Sequence, residues 1–551
     1  MKHLLQHFKT LTKQPQNASA LKGFILQLAV RGKLTANWRL KNPNVEPTSK
    51  KLAEIENHTA LSKIESDEIP FTLDKTWNWC RFIDVASLRH GYQFRKHDFV
   101  EEGIPVVKIG QCKADGTLDF SKCNFIDSNR KNEFEHVLIF KGHLLMALTG
   151  GTLGKVTRVD KDYGVVVQNY RVGNFFANEN ILFLDFLNVI LESDLFQGLV
   201  RERINQNAQP NIGKDNIEKI VMPIPPLEEQ KAIVAIVNEL FKEVEQLEEQ
   251  TKTRIQLKED FVTSALQRLA QTENVNQEWQ FLHTRFTEFF TEKENVKQLR
   301  ETILQLAIQG KLTSKWRSQN LKIVSVSRKL ANIEKEKGLS KIDPSEIPFE
   351  LVETWEWCRF IDVASLRHGY QFRKHDFVEE GIPVVKIGQC KADGTLDFSK
   401  CNFIDSSREE EFEHVLIYKG HLLMALTGGT LGKVTRVDKD YGVVVQNYRV
   451  GNFFANEEIL SIDFLNVILE SELFQGLVRE RINQNAQPNI GKDNIEKIVM
   501  PIPPLEEQKA IVKQVNSLMA LCDSLEEHIE NSQTQIEQLM QSCLREVFEN
   551  N

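Results

Sequence analysis

Two stretches of the chain place apolar residues at alternating intervals of three and four, the pattern of a helix with one buried seam. Each stretch follows the sequence PIPPLEEQ, in which two prolines stand just before the helix start and two glutamates suit its N-terminal dipole. A helix of about 40–45 residues would span roughly 60–70 Å, and we expect the two helices to pair antiparallel. The predicted seam positions are Ile233, Val237, Leu240, Val244 and Leu247, and then Ile511, Val515, Leu518, Leu525 and Ile529.

The regions ahead of these helices show a different pattern, in which short β-type runs alternate with glycine and Asp-Gly turns. From about Trp77 to Pro226 the runs are IPVVKIG, HVLIF, HLLMALT, KVTRV and YGVVVQNYRV. One amphipathic helix is predicted over residues 183–204, and helical lead-ins are predicted at 1–35 and 279–313. The fold class is therefore α+β, with two mixed α/β domains separated by a long antiparallel helical coiled coil.

The chain repeats itself after 278 residues, which makes these two domains near copies. Residues 77–234 match residues 355–512 without insertion and with nine differences in 158 positions. Two equal units in one chain imitate a homodimer, so we expect pseudo-twofold symmetry, although a recent duplication without symmetric use is the alternative. The predicted segments are a lead-in at 1–35, a first domain at 36–226, a central helical region at 227–313, a second domain at 314–504 and a C-terminal helix at 505–551.

Composition and charge place the chain among ordinary globular proteins. It has 551 residues, of which 41% are hydrophobic and 26% charged, and no apolar run approaches a membrane span. The N-terminal sequence lacks the features of a signal peptide, and the eight cysteines form no CxxC pair, so we expect reduced thiols and a cytoplasmic location. The net charge of −8 argues against a simple electrostatic DNA binder unless basic residues are concentrated on one face.

Motifs for catalysis are missing from the sequence. The glycine-rich stretch TGGTLGK at 149–155 lacks the spacing of a phosphate-binding loop and is interpreted as a turn between two strands. There is neither a [DNS]PP[YF] methyltransferase tetrapeptide nor a GxGxxG after a strand, and the histidines have no metal-ligand spacing, so they are interpreted as surface or loop residues. We therefore predict no catalytic residue, no metal ligand and no bound cofactor in this chain.

Stretches suited to DNA contact are better represented. Arginine and lysine can bind phosphates or guanine, asparagine and glutamine can read adenine, and aromatic rings can stack. A solvated polar turn or a wet basic surface is the alternative for each stretch taken alone. The candidates in the first copy are Tyr92, Gln93, Arg95, Lys96, Lys108, Gln111, Lys113, Lys155, Asn169, Arg171, Arg203, Asn205, Gln206, Asn207, Gln209, Asn211 and Lys214. Their equivalents in the second copy are Tyr370, Gln371, Arg373, Lys374, Lys386, Gln389, Lys391, Lys433, Asn447, Arg449, Arg481, Asn483, Gln484, Asn485, Gln487, Asn489 and Lys492.

A family resemblance is carried by the sequence QPNIGKDNIEKIVMPIPPLEEQKAIV followed by a long heptad helix, together with ILQLAIQGKLT and LTGGTLGKV. In combination these motifs resemble the specificity (S) subunits of type I restriction-modification systems. The resemblance covers essentially the whole chain. It implies two target-recognition domains that each bind one half of a bipartite DNA target, and helices that separate these domains.

The same resemblance implies a non-catalytic protein with partners. Two methyltransferase (M) subunits would dock on the helices and bind S-adenosylmethionine, and restriction (R) subunits would use ATP and Mg²⁺. Members of this family commonly carry two different recognition domains, whereas the domains here are almost identical. We therefore expect an interrupted palindrome as the target. The alternatives are a specificity protein of a methylation-only or phage-defence system, a coiled-coil scaffold without a DNA role, and a free-standing enzyme.

Overall fold

Short β-type runs separated by glycine turns form three small sheets in each copy. A computed structural model describes residues 14–57, 60–113, 115–204, 210–391, 393–482 and 488–549. It contains two compact units, one made of residues 1–254 and 536–551 and the other of residues 255–535. We call residues 77–226 domain 1 and residues 355–504 domain 2.

Domain 1 is built from two four-stranded sheets and a two-stranded ribbon. One sheet has the strand order β2-β9-β6-β7, the other has the order β3-β5-β4-β8, and β1 pairs with β10. The pair β4–β8 is parallel, with Val106 opposite Val167, and the other strand pairs named here are antiparallel. The strands are β1 (Asn78–Arg81), β2 (Ala86–His90), β3 (Phe99–Val100), β4 (Ile104–Val107), β5 (Asn124–Ile126), β6 (Leu144–Ala147), β7 (Val156–Arg158), β8 (Val167–Gln168), β9 (Val172–Ala177) and β10 (Val221–Ile224).

The helices of this unit cover one face of the sheet that contains β9. Apolar side chains of Phe186 and Ile190 belong to the same core cluster as Leu144 and Phe175 of the sheet, and Phe24 of the lead-in helix joins them. These side chains form a two-layer core. The helices are α1 (Asn17–Val30), α2 (Ala36–Lys41), α3 (Thr48–Glu56), α4 (Phe82–Val85), α5 (Leu184–Glu192), α6 (Asp194–Glu202) and α7 (Lys214–Glu218).

Two local predictions for domain 1 were wrong. The helix predicted over 183–204 is two helices, because the backbone at Ser193 is extended and its hydroxyl accepts the Phe196 N–H as an N-cap. The run HVLIF at 136–140 is not a strand. A 3₁₀ helix ends at Val137 and Leu138 forms only an isolated bridge to Val167. In contrast, the TGGTLGK stretch is the turn between β6 and β7, as predicted.

Domain 2 repeats the topology of domain 1 strand for strand. Its sheets have the orders β12-β19-β16-β17 and β13-β15-β14-β18, with β11 paired to β20. Its strands are β11 (Glu356–Arg359), β12 (Ala364–His368), β13 (Phe377–Val378), β14 (Ile382–Val385), β15 (Asn402–Ile404), β16 (Leu422–Ala425), β17 (Val434–Arg436), β18 (Val445–Gln446), β19 (Val450–Ala455) and β20 (Val499–Ile502).

Two helices of 45 residues each, about 68 Å at 1.5 Å per residue, follow the domains. The first, α8 (Leu227–Gln271), begins in the unit of domain 1 and ends in the other unit. It is followed by α9 (Val275–His283), α10 (Phe286–Phe289), α11 (Lys293–Ile308), α12 (Ser314–Gln319), α13 (Ser327–Lys337), α14 (Phe360–Val363), α15 (Ile462–Glu470), α16 (Glu472–Glu480) and α17 (Lys492–Glu496). The second long helix, α18 (Leu505–Glu549), begins in the unit of domain 2 and ends in the unit of domain 1.

Within each unit, the beginning of one long helix shares a core with the end of the other. Val244 and Met540 belong to one cluster in the unit of domain 1, and Leu269 and Cys522 belong to one cluster in the unit of domain 2. The predicted mixed α/β fold class with long helices is confirmed.

The predicted seam residues are buried or half-buried. The clusters that contain them also include the lead-in helices: Ile233 and Val237 are buried together with side chains of α1, and Ile511 is buried together with side chains of α11. Part of the seam therefore lies in the core of its own unit.

The PLEEQ sequence is the joint between each domain and its long helix. The carboxylate of Glu229 is fully buried and accepts hydrogen bonds from Thr35 Oγ1 (2.6 Å), Arg39 Nη1 (2.5 Å) and Trp77 Nε1 (2.9 Å). Next to it, the amide of Gln230 donates to the carbonyl oxygens of Ile181 and Pro225. The prediction that both glutamates serve the helix dipole therefore misses the role of Glu229, while Glu228 is exposed.

Domain 2 builds the same joint around Glu507. Its carboxylate accepts hydrogen bonds from Thr313 Oγ1 (2.7 Å) and Trp355 Nε1 (2.9 Å), and it pairs with Arg317. The donors to each carboxylate come from two places along the chain, the segment before the domain and the tryptophan that precedes its first strand, while the long helix supplies the accepting carboxylate. The joint therefore fixes the start of the helix against the domain.

Candidate nucleic-acid interface

Several predicted contact stretches meet at the carboxyl ends of β4 and β8, because parallel strands end at the same side of a sheet. Tyr92 forms a parallel bridge with Asn169: its N–H donates to Gln168 O (2.9 Å) and its carbonyl accepts from Tyr170 N (3.0 Å). Lys108 follows β4 directly, and Asn169 N–H donates to Val107 O (2.9 Å). We call the surface formed by residues 91–93, 108, 149–151, 169–171 and 210–211 the β4–β8 edge.

The glycine turn and the last part of the domain join this edge through backbone contacts. Leu148 N–H donates to Arg171 O (3.0 Å), and Gly150 N–H donates to Pro210 O (2.9 Å). Thr149 and Asn211 form an antiparallel bridge. Residues 205–209 and 483–487, which include the candidates Asn205, Gln206, Asn207, Gln209, Asn483, Gln484, Asn485 and Gln487, lie outside the described residues.

Gly91 allows the close approach that places Tyr92. A Cβ atom at Gly91 would lie 2.2 Å from Gln168 O, so only glycine lets the two backbones meet there. Tyr92 remains 40% exposed, and its ring rests edge-to-face on Phe94 and Phe134, with 5.0 Å between ring centres in each case. Tyr92 thus offers a supported aromatic surface to a ligand.

Arg171 is the exposed cation of the edge. Its Nε donates to the hydroxyl of Tyr170 at 2.9 Å, and its guanidinium lies 5.5 Å from the centre of that ring. Tyr170 was not among the predicted residues, although its position next to Arg171 in the sequence is a signal that could have found it. A guanidinium held by one nitrogen keeps its other donors for phosphate or a base edge.

Lys108 and Lys155 are more enclosed. The ammonium of Lys108 is 2.5 Å from Asn124 Oδ1 and 4.6 Å from the centre of the Phe99 ring. Burial lowers the pKa of Lys108, and the positive charge of Arg171 lowers it further. Lys155 donates to Cys112 O (3.1 Å). Both lysines are half-buried, and these contacts hold their side chains against the domain.

Two predicted amides are turned inward. Gln111 accepts the Lys108 N–H (3.1 Å) and donates to Lys122 O (3.1 Å). Asn169 is 4% exposed and accepts the Arg171 N–H. A contact of either amide with DNA would first have to break these bonds, so their geometry gives them a supporting role.

The other predicted residues of domain 1 surround the edge. Gln93, Arg95 and Lys96 are exposed on the segment that follows Tyr92. The pKa of Asp98 lies below its usual value because Asp98 accepts the Arg95 N–H and a hydrogen bond from Arg130. This ion pair holds the segment that carries Arg95 and Lys96.

Some predicted cations have partners of their own. Lys113 pairs with Asp119 (3.0 Å) and Lys214 with Glu218 (3.4 Å), and the guanidinium of Arg203 donates to Leu199 O (3.1 Å). These residues remain candidates, but each would have to give up an existing contact within the domain in order to bind DNA.

Domain 2 reproduces this arrangement. Tyr370 is 37% exposed on Phe372 and Phe412, and Arg449 Nε donates to Tyr448 at 2.9 Å. The remaining equivalents keep the same contacts: Gln371, Arg373 and Lys374 are exposed, Gln389 and Asn447 are buried, Lys386 lies over Phe377, Lys433 donates to Cys390 O, Lys391 pairs with Asp397, Arg481 donates to Leu477 O, Lys492 pairs with Glu496 and Asn489 bridges Thr427.

His143 lies in the loop just before β6, in line with the interpretation of the histidines as surface or loop residues. Its ring is held in place, because its Nδ1 lies 2.8 Å from Asn174 Nδ2 and accepts the Phe140 N–H. Burial and the neighbouring Arg89 lower the pKa of His143 to about 4, and His421 has the same environment. The imidazole is therefore neutral at pH 7 and serves the packing of the domain.

The described residues form no metal site, no membrane-spanning helix and no disulfide. Among them there is no group of three or more His, Cys, Asp or Glu side chains placed to hold a metal. No described helix is both long and apolar enough to cross a bilayer. The seven cysteines whose side chains are described are free, and burial raises the pKa of Cys112 to about 12 and that of Cys390 to about 11.

Comparison with known proteins gives one consistent result. The family described as "Type I restriction modification DNA specificity domain" matches residues 74–257 and 352–535, about two-thirds of the chain. The specificity subunit of the type I restriction enzyme EcoAI from Escherichia coli is 25% identical over 549 residues, covering 94% of this chain and 91% of that subunit. The specificity subunit of EcoKI from E. coli K12 is 22% identical over 497 residues, covering 86% and 89%.

A solved structure shares the fold. A chain from work on complex assembly and conformational transition of the type I R-M system superposes with a TM-score of 0.53 at 16% identity, covering 87% of this chain and 99% of that chain.

Proposed function

This chain belongs to the type I restriction-modification DNA specificity family, and we propose that it recognises a bipartite DNA target through its two domains. Each domain would bind one half-site with its β4–β8 edge and the adjoining segment that carries Arg95 and Lys96. The chain itself performs no chemistry in this proposal. Instead it selects the DNA on which partner subunits act.

The observation that carries the proposal is that the same exposed surface is built twice from identical residues. Tyr92 and Arg171 have the same supporting contacts as Tyr370 and Arg449. Their chemistry suits the task, because an arginine fork binds phosphate or guanine and an exposed ring packs against sugars or bases. Since both copies present the same side chains, the two half-sites should have the same sequence in inverted orientation, which makes the target an interrupted palindrome.

The long helices set the scale of that target. A helix of 45 residues is about 68 Å long, which corresponds to roughly 20 base pairs at about 3.4 Å per pair. This length is an upper limit for the separation of the half-sites. The net charge of −8 fits a protein whose helices face partner proteins while its domains face DNA.

The proposed partners follow from the family. Two methyltransferase (M) subunits would dock on the helices and bring S-adenosylmethionine, and restriction (R) subunits with ATP and Mg²⁺ would complete the assembly. In this proposal the partner subunits bind both cofactors.

Sequencing of methylated adenines in a host that expresses the chain with its methyltransferase partner tests the proposal. The expected result is one interrupted motif with identical inverted half-sites, which disappears when the chain is deleted. The variant R171Q/R449Q should reduce methylation at that motif, while the matched control K161Q/K439Q, which removes an exposed lysine from the turn before β8 and from its copy before β18, should not. Two unrelated half-sites would contradict the palindrome, and methylation independent of the chain would contradict the DNA-recognition role.

A further inference from the structure

The differences between the two domains are not neutral in charge. Four of the nine differing positions change charge, and all four make domain 2 more acidic. Lys131 becomes a glutamate, which is a change of two units, and three asparagines become glutamates, which is one unit each. Domain 2 is thus five units more negative than domain 1 over the aligned 158 positions. The four pairs are Asn78/Glu356, Lys131/Glu409, Asn132/Glu410 and Asn180/Glu458.

Two of these positions adjoin the proposed DNA surface. Lys131 and Asn132 are exposed on the 3₁₀ helix Ser128–Val137. Arg130 in that helix pairs with Asp98 at 2.9 Å, which ties the helix to the segment that carries Arg95 and Lys96.

The other end of the same 3₁₀ helix supports the aromatic part of the surface, because Phe134 packs against Tyr92 at 5.0 Å. Residues one and two positions beyond Arg130 can be no more than about 8 Å further along the backbone. Lys131 and Asn132 are therefore backbone neighbours of a residue that is bonded to this surface, and the charge at these two positions contributes to the field that a bound polyanion would meet there.

The frame around these positions is the same in domain 2. Arg408 pairs with Asp376 at 2.9 Å, and Phe412 packs against Tyr370 at 4.9 Å. Glu409 and Glu410 are exposed on the matching 3₁₀ helix. The two copies keep the same contacts around these positions and differ there in charge. Nothing in the packing explains the substitutions, whereas a change in charge acts directly on the attraction of a polyanion.

The other two charge-changing positions lie elsewhere in the domain. Asn78 begins β1 and pairs with Ile224 of β10, close to the start of the long helix. Asn180 lies in the turn before α5, where its N–H donates to Asn178 Oδ1. These positions provide internal controls for a charge change at a distance from the β4–β8 edge.

We propose that the two domains recognise the same half-site sequence but hold it unequally, domain 1 more tightly than domain 2, because Lys131 and Asn132 are replaced by two glutamates beside the DNA surface. This inference rests on the proposed function. Three units of charge beside the bound phosphates, each worth a factor of about 1.5 to 2 at moderate salt, give a difference on the order of fivefold between the half-sites.

The test uses the chain in its complex with the methyltransferase subunits and a duplex that keeps one half-site and scrambles the other. Either domain can occupy the intact half-site, so the measured association constant is the sum of both. With a fivefold inequality, K131E/N132E should weaken binding about threefold, whereas E409K/E410N should tighten it only about 1.7-fold. Each variant copies the sequence of the other domain, which already folds with those residues.

Salt and position provide the controls. Both effects should shrink as salt rises from about 50 to about 300 mM, because screening weakens the contribution of each charge. The matched variants N180E and E458N change charge away from the edge and should leave affinity within a factor of about 1.3.

The possible results distinguish a failure of this inference from a failure of the proposed function on which it rests. Affinities unchanged by both swaps, or changed equally by N180E, would overturn the inequality while leaving DNA recognition in place. If the wild-type complex binds the intact half-site no better than fully scrambled DNA, the proposed function itself fails.

Discussion

The buried carboxylate at the start of each long helix provides a direct test of how the domains are attached. Glu229 is 0% exposed and accepts three hydrogen bonds, one of them from Arg39, whose side chain is 18% exposed. Glu229→Gln keeps the shape of the side chain but removes the buried one of the two carboxylates that pair with this guanidinium, the other being Asp74 at 3.3 Å. The amide also brings two donors to a place where three donors already point inward.

The expected cost follows from the geometry. Breaking a buried ion pair by removing one partner costs about 3–5 kcal/mol, and the partial exposure of Arg39 together with its remaining pair with Asp74 places the cost at the lower end, roughly 3 kcal/mol. For a unit of this size, 3 kcal/mol corresponds to a fall in Tm of roughly 6–12 °C. Glu507→Gln should have an effect at least as large on the other unit, because Thr313, Arg317 and Trp355 surround it in the same way while Val352 stands where Asp74 pairs with Arg39.

Differential scanning calorimetry of the full chain measures this effect. Glu228→Gln is the matched control, since Glu228 is the exposed neighbour in the same helix turn and its substitution should change stability by less than about 0.5 kcal/mol. The reasoning is refuted if Glu229→Gln shifts the transition no more than Glu228→Gln does. Such a result would mean that the joint is held by apolar packing alone.

Three further predictions concern the domains. Gly91→Ala should weaken DNA binding at least tenfold, because a Cβ at Gly91 would lie 2.2 Å from Gln168 O. The control Gly198→Ala should leave affinity unchanged, because a Cβ there would have no atom within 4 Å. Filter binding measures both, and equal affinities of the two variants would contradict the prediction. Arg171→Gln should lower the slope of log affinity against log salt by about 1, and an unchanged slope would exclude a phosphate contact. His143 has a pKa of about 4 in the folded state, whereas the unfolded chain takes up this proton near pH 6.5, so acid lowers the free energy of unfolding by roughly 1–2 kcal/mol between pH 6.5 and 4. His143→Gln should remove this part of the pH dependence, and thermal melts across that range measure it.

The architecture could be predicted from the sequence because its signals are local or periodic. The heptad spacing predicted helices after PIPPLEEQ, and both helices begin at the leucine of that sequence. The offset of 278 residues predicted two equal domains, and their strand orders match one for one. The glycine turn at 149–155 was also predictable, because glycine at such spacing has a strong conformational meaning by itself.

The roles of individual polar side chains were decided by tertiary structure. Gln111 and Asn169 had the right chemistry for reading adenine, yet their amides are bonded inside the domain. The pairing of Arg130 with Asp98 joins residues 32 positions apart, and it ties the helix that carries Lys131 to the segment proposed to contact DNA. Nothing in the sequence around either residue indicates its partner.

The stretch from Arg203 to Val234, which is repeated from Arg481 to Val512, shows both what its sequence determined and what only the tertiary structure decided. Its sequence alone determined that a domain ends and a long helix begins there, since prolines, acidic residues and apolar spacing act over a few neighbouring residues. Only the fold distinguished the exposed Glu228 from the buried Glu229, whose partners Trp77 and Thr35 lie 152 and 194 positions away. A charged side chain is buried only where distant donors are assembled around it, and that assembly exists in the tertiary structure but in no segment of the sequence.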